Sequence, residues 1–143
     1  GIKNYKFLSN YDFVSLLIGV NNQYRALDVM QFKMDLENLL TKAISLANNK
    51  TERVIILSIP DYSITPFALT KEPEKIAKEI DVFNSIIKVL SIQYKVHYID
   101  ITTGSRKAKD DATLIAADGL HPSAKLYKKW ADKLSAFIAK QIK

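Results

Sequence analysis

The chain has 143 residues, 48% of them hydrophobic and 25% charged, with a formal net charge of +6 and no cysteine. That is enough for one domain with a real core, and it excludes disulfides, thiolate metal sites and a cysteine nucleophile from this stretch. Plentiful Ile, Leu, Val and Phe exclude disorder, and no apolar run approaches the roughly 20 residues of a membrane span.

The first signal in chain order is the nearly continuous apolar run at 13–18, which ends at Gly19 and predicts a strand buried on both faces. Asp28 then offers an N-cap, and Val29, Phe32, Leu36, Leu39, Leu40 and Ala43 follow at steps of three and four. They predict an amphipathic helix that fades at Asn48-Asn49. Residues 54–59 are β-branched and stopped by Pro60, a second buried strand. A polar loop with Pro66 and Pro73 leads to a helix marked by Ile76, Ile80, Phe83, Ile87 and Leu90. Residues 96–101 form a third strand. A loop through Gly104 and Gly119 reaches the last helix, with Tyr127, Trp130, Leu134, Phe137 and Ile138 on its inner face.

This alternation of strands and helices implies a parallel sheet with right-handed crossovers. In such sheets chemistry gathers at the carboxyl ends of the strands, here 19–25, 60–66 and 101–121. The charge is uneven: residues 71–143 carry fourteen basic and nine acidic side chains, against seven and six before them. Lys125, Lys128, Lys129, Lys133, Lys140 and Lys143 lie between apolar residues at helical spacing. They read as the solvated face of the last helix and not as a nucleic-acid site.

Two groups of residues carry candidate chemistry. Asn21 and Asn22 follow the first strand; an amide there either donates to a developing oxyanion or serves as a turn former. Asp118-Gly119-Leu120-His121-Pro122 precedes the last helix. An aspartate three residues before a histidine can hold Nδ1–H and leave Nε2 as a base, or the two are a turn former and a loop histidine. Pro122 suits the first helical position. Arg25 reads as an anion contact or a surface ion pair, His97 as a packed strand residue, and Asp110-Asp111 as a solvated loop pair. No residues have metal-ligand spacing and no glycine loop cradles phosphate, so no cofactor is expected.

Taken together, Leu17-Ile18-Gly19-Val20-Asn21-Asn22 and Asp118-Gly119-Leu120-His121-Pro122-Ser123 resemble the SGNH/GDSL hydrolase family, with strands and helices in that family's order across essentially the whole chain. The resemblance implies a three-layer α/β/α sandwich with a doubly wound, flavodoxin-like parallel sheet, and a serine esterase or acylhydrolase acting on a small acyl ester. It implies Asn21 in the oxyanion hole, His121 as general base and Asp118 as its orienter. Asn22, Tyr24, Arg25 and Tyr62 are candidate substrate contacts, with Gln23, Thr65, Pro66 and Phe67 beside them.

The chain departs from the family in three places. Asn22 stands where the family usually has aspartate. No Gly-Asp-Ser, the family's nucleophile motif on its first strand, occurs. The family's second oxyanion donor, a glycine, has no counterpart but Gly1. Ser58 reads as a packed strand residue, Ser63 and Ser105 as loop residues and Ser123 as a helix start; none has a nucleophile-elbow setting. The expectation is therefore that residues 1–143 are the rear two-thirds of a domain of about 200 residues, lacking its first two strands and inactive alone. Its serine, and any leader that would set its compartment, would lie upstream. The bare edge of the first strand would be covered by that segment or by a second copy of the chain. No nucleic-acid or membrane partner is expected on this reading. The competing reading is a non-catalytic basic α/β module that binds nucleic acid or a protein partner.

Overall fold

The computed structural model describes residues 6–8 and 10–142. Three parallel strands, β1 (Val14–Leu16), β2 (Val54–Leu57) and β3 (His97–Ile99), pair in the order β1-β2-β3, with Val14 opposite Val54 and Ile55 opposite His97. The fold is α/β, and β2 is buried at every position because both faces of the sheet are covered. Alternate residues serve opposite faces. Val54 and Ile56 join one core with Phe32, Leu36, Leu40, Ile80, Phe83 and Ile87, while Ile55 and Leu57 join a second with Leu114, Leu126 and Trp130. The first core is made by α2 (Val29–Leu46) and α3 (Pro73–Gln93), the second by α5 (Ala124–Gln141). These are three layers, with the sheet in the middle.

The helix signals fall where the spacing puts them. Asp28 caps α2 by accepting from the Gln31 amide at 2.9 Å, and Asn48 and Asn49, both with left-handed φ near 58°, end it. Pro73 opens α3 at its first turn instead of lying in a loop. In α5 the inner stripe is Leu126, Trp130, Leu134, Phe137 and Ile138; Tyr127, expected inside, is about half exposed and meets the Trp130 ring edge-on at 5.0 Å.

Two of the expected strands, β2 and β3, are shortened by side chains that take over the ladder. The last ladder bond between β2 and β3 runs from the Ser58 amide to the Ile99 carbonyl. Beyond it the Asn84 side chain accepts from Ile59 N–H at 2.7 Å and donates to Ile59 C=O at 3.2 Å, which ends β2. The Ser58 hydroxyl accepts from the Ile101 and Thr102 amides and ends β3. Among the described residues β1 pairs only with β2, so it has the open edge expected of it, but it is only partly buried, with Ser15 exposed, where a strand buried on both faces was expected. No described helix is long and apolar enough to cross a membrane.

Candidate active site

The carboxyl ends of the strands open into a cavity of about 510 Å³, lined on one side by Asn21, Tyr24, Tyr62 and Phe67 and on the other by Leu120, His121, Tyr127 and Trp130. Its first wall begins at Gly19. With φ at 113°, a Cβ there would lie 2.7 Å from Ile59 Cδ1, so glycine is what lets the chain turn this tightly against Ile59 and Phe32. The next five residues are not a loose turn but one helical turn, α1 (Val20–Tyr24). Residues three apart on a helix share a face. Asn21 and Tyr24 therefore both face the cavity, whereas Asn22 and Arg25 are rotated away and do not line it. Gln23 points inward, buried, and donates to Glu79 Oε2 at 2.8 Å, fixing α1 against α3. Among the described residues nothing hydrogen-bonds to the Asn21 amide, which leaves its N–H groups free.

The second wall carries the histidine. Residues 116–119 make a turn closed by the Gly119 N–H to Ala116 C=O bond, and Gly119 has φ at 72°. Asp118 Oδ1 accepts from the amides of Leu120 and His121, both at 2.9 Å, while Oδ2 lies 2.6 Å from His121 Nδ1. The two backbone amides, together with the imidazole, hold the Asp118 carboxyl at about 2. An ionised carboxylate can only accept, so Nδ1 carries the proton and Nε2 presents its lone pair. His121 is 67% exposed.

This turn is fastened from three sides. Phe67 N–H donates to Gly119 C=O at 3.0 Å, tying it to the segment after β2. His121 C=O accepts from Ala116 at 2.8 Å, and Ser123 N–H donates to Leu114 C=O at 2.8 Å. Pro122 is not the first residue of α5: it sits in an isolated bridge opposite Ile115, which leaves Ser123 as the cap, accepting from Leu126. Asp111, expected to be a solvated loop residue, caps Ala112–Leu114 and pairs with Lys125 at 2.9 Å.

Beneath the cavity lies a buried polar network. Asn84 Nδ2 donates to Thr102 Oγ1 at 2.9 Å, and that hydroxyl lies 2.7 Å from both Ser58 Oγ and Ile59 C=O. Ser105, expected in a loop, is buried in the short helix α4 (Thr102–Arg106), where its hydroxyl donates to Thr102 C=O and accepts from the Asp61 amide. Asp61 is buried and accepts from Arg106 Nε at 2.8 Å and from Ser63 N–H; Arg106 also reaches Asp81. The bond to Asp61 raises the guanidinium above its ordinary value. Ser123 Oγ donates to Thr113 C=O. Ser58, Ser105 and Ser123 are thus engaged in holding the backbone, and among the described residues no serine hydrogen-bonds to His121. Gly1 lies outside the described residues.

Tyr62 is buried in the first wall, its phenol pushed up by that burial, and its ring meets Tyr24 edge-on at 6.3 Å. Thr65 and Phe67 also line the wall, while Pro66 abuts Gly119 from outside the cavity. The sequence pattern pointed to neither Lys71, whose ammonium lies over Phe67, nor the part of Trp130 in the second wall. His97 is half-buried in β3 and meets the Phe137 ring at a tilt, with centroids 4.4 Å apart. No three His, Asp or Glu side chains among the described residues are grouped to hold a metal ion.

Residues 4–129 match the GDSL-like lipase/acylhydrolase family. Among solved structures the fold is similar to the crystal structure of the lipase/acylhydrolase from Enterococcus faecalis, with a TM-score of 0.58 and 22% identity over 92% of this chain. The chain spans 60% of the length of that protein. No curated protein matches the sequence. Because the family match covers most of the chain, its range including both Asn21 and the histidine turn, the chain belongs to the GDSL-like lipase/acylhydrolase family.

Proposed function

We propose that this chain supplies three of the four parts of a serine esterase site, and that the nucleophilic serine comes from sequence upstream of Gly1. The observation that carries this reading is the His121–Asp118 pair, locked at 2.6 Å with Nε2 free, on the same cavity as the unengaged amide of Asn21. Family membership supports ester hydrolysis, and the saturated hydroxyls of Ser58, Ser105 and Ser123 argue against a nucleophile among them.

In this mechanism the serine Oγ attacks the acyl carbon while His121 Nε2 takes the hydroxyl proton. Asp118 keeps Nδ1–H in place and steadies the imidazolium. The carbonyl electron pair moves onto oxygen, where the Asn21 amide donates to it; one such donor lowers the barrier by roughly 3 kcal/mol. The tetrahedral intermediate collapses, the C–O bond to the alcohol breaks, and His121 returns the proton to the leaving oxygen. Water then attacks the acyl-serine by the same route and releases the acid.

The test is hydrolysis of p-nitrophenyl acetate by the full-length protein and by its His121→Ala form. Loss of at least about a thousandfold in kcat with unchanged thermal stability supports the assignment. Equal rates in the two proteins contradict it.

A further inference from the structure

Lys71 follows the 3-10 segment Pro66–Thr70, and its Nζ lies 4.8 Å from the centroid of Phe67 and 5.7 Å from that of Tyr24. Both rings line the active-site cavity, with centroids 6.3 Å apart. Phe67 is also the residue whose amide holds the Gly119 carbonyl in the histidine turn. The ammonium is thus seated at the rim of the cleft by side chains that form the cleft.

Several carboxylates of the neighbouring segments are already engaged. Asp118 holds His121 and two amides, Asp61 holds Arg106, Glu79 accepts from Gln23, and Glu72 pairs with Lys75 at 3.2 Å. Among the described residues none of them pairs with Lys71. A cation resting on ring faces is held by the ring quadrupole, which leaves its outward N–H donors for water or for an anion.

We propose that Lys71 is the subsite for an anionic group carried by the ester substrate, a carboxylate or a phosphate, with the Tyr24–Phe67 pair supporting the adjoining apolar part. This rests on the esterase reading above. Because the ammonium is exposed, the contact confers a modest preference that salt screens.

The test compares kcat/KM of the full-length protein for phenyl acetate, 4-acetoxybenzoate and 4-acetoxyphenyl phosphate. The ratio of anionic to neutral ester is expected to fall about fivefold in Lys71→Gln, for one anionic ester or for both. Lys71→Arg keeps the ratio, and Lys88→Gln, an exposed charge on α3, leaves it unchanged. Added salt lowers the ratio in the wild type and not in Lys71→Gln. A fall confined to one ester tells carboxylate from phosphate. Ratios that are the same in wild type and Lys71→Gln, or turnover of phenyl acetate alone, overturn the subsite. Turnover of none of the three esters contradicts the esterase reading itself.

Discussion

The carboxyl end of the sheet holds two polar clusters built in opposite ways. Ser58, Asn84, Thr102 and Ser105 are all buried, and their hydroxyl and amide groups are bonded to one another, to backbone or to the Asp100 carboxylate at 2.7–3.3 Å. His121 and Asp118 are 67% and 52% exposed, hold each other at 2.6 Å, and leave one ring nitrogen without a partner among the described residues. A buried group with every bond made fixes the fold. An exposed group with one position open is available for chemistry. The same contrast separates Ser58, Ser105 and Ser123, whose hydroxyls are engaged, from the free nucleophile that the proposed mechanism calls for.

That contrast can be broken first at Asn21. Asn21→Ala should lower kcat of the full-length protein by about a hundred- to a thousandfold while leaving its melting temperature in place. Among the described residues the Asn21 side-chain amide makes no hydrogen bond that would support α1 or the core. An equal loss in Asn22→Ala would contradict the claim that α1 turns only one of the two asparagines to the cavity. The buried cluster should respond in the other direction. Asn84→Ala strips partners from the buried N–H of Ile59 and from Thr102, and should cost roughly 2–3 kcal/mol in denaturant unfolding. A cost within 0.5 kcal/mol, the range of ordinary surface changes, would show that the network is not holding the end of β2.

The architecture was legible because its signals are periodic. Val54, Ile55, Ile56 and Leu57 are buried on both faces, and the spacing of Phe32, Leu36 and Leu40 or of Ile76, Ile80 and Phe83 is that of a helix face. What escaped was made by single side chains acting across the fold. Nothing in the run at 54–59 reveals that Asn84, on another element, takes both backbone groups of Ile59. Five-residue helices such as α1 and α4 are too short to show a period, so only the family resemblance, and not the pattern of the residues, set Asn21 apart from Asn22. The histidine turn was readable, since Asp118, Gly119 and His121 are local in sequence. Lys71 was not, because its meaning depends on two rings delivered by different segments.

The smallest effect sharpens the exposed half of the comparison. Asp118 is held at about 2 in the folded protein, against an ordinary aspartate value near 3.9. A depressed value means that the bonds of the turn are fully present above about pH 4 and are lost as the pH falls through about 2. The amide shifts of Leu120 and His121 should therefore titrate with a midpoint near pH 2, and Asp118→Ala should abolish that step. A midpoint near pH 4 would mean that the carboxylate is not held by those amides.

The most direct test of the divided site is to treat the full-length protein with a fluorophosphonate probe and locate the labelled residue by peptide mass spectrometry. The account predicts one labelled serine upstream of Gly1, with labelling lost in His121→Ala. Labelling of Ser58, Ser63, Ser105 or Ser123, or no labelling of an intact protein that includes the upstream sequence, would contradict it.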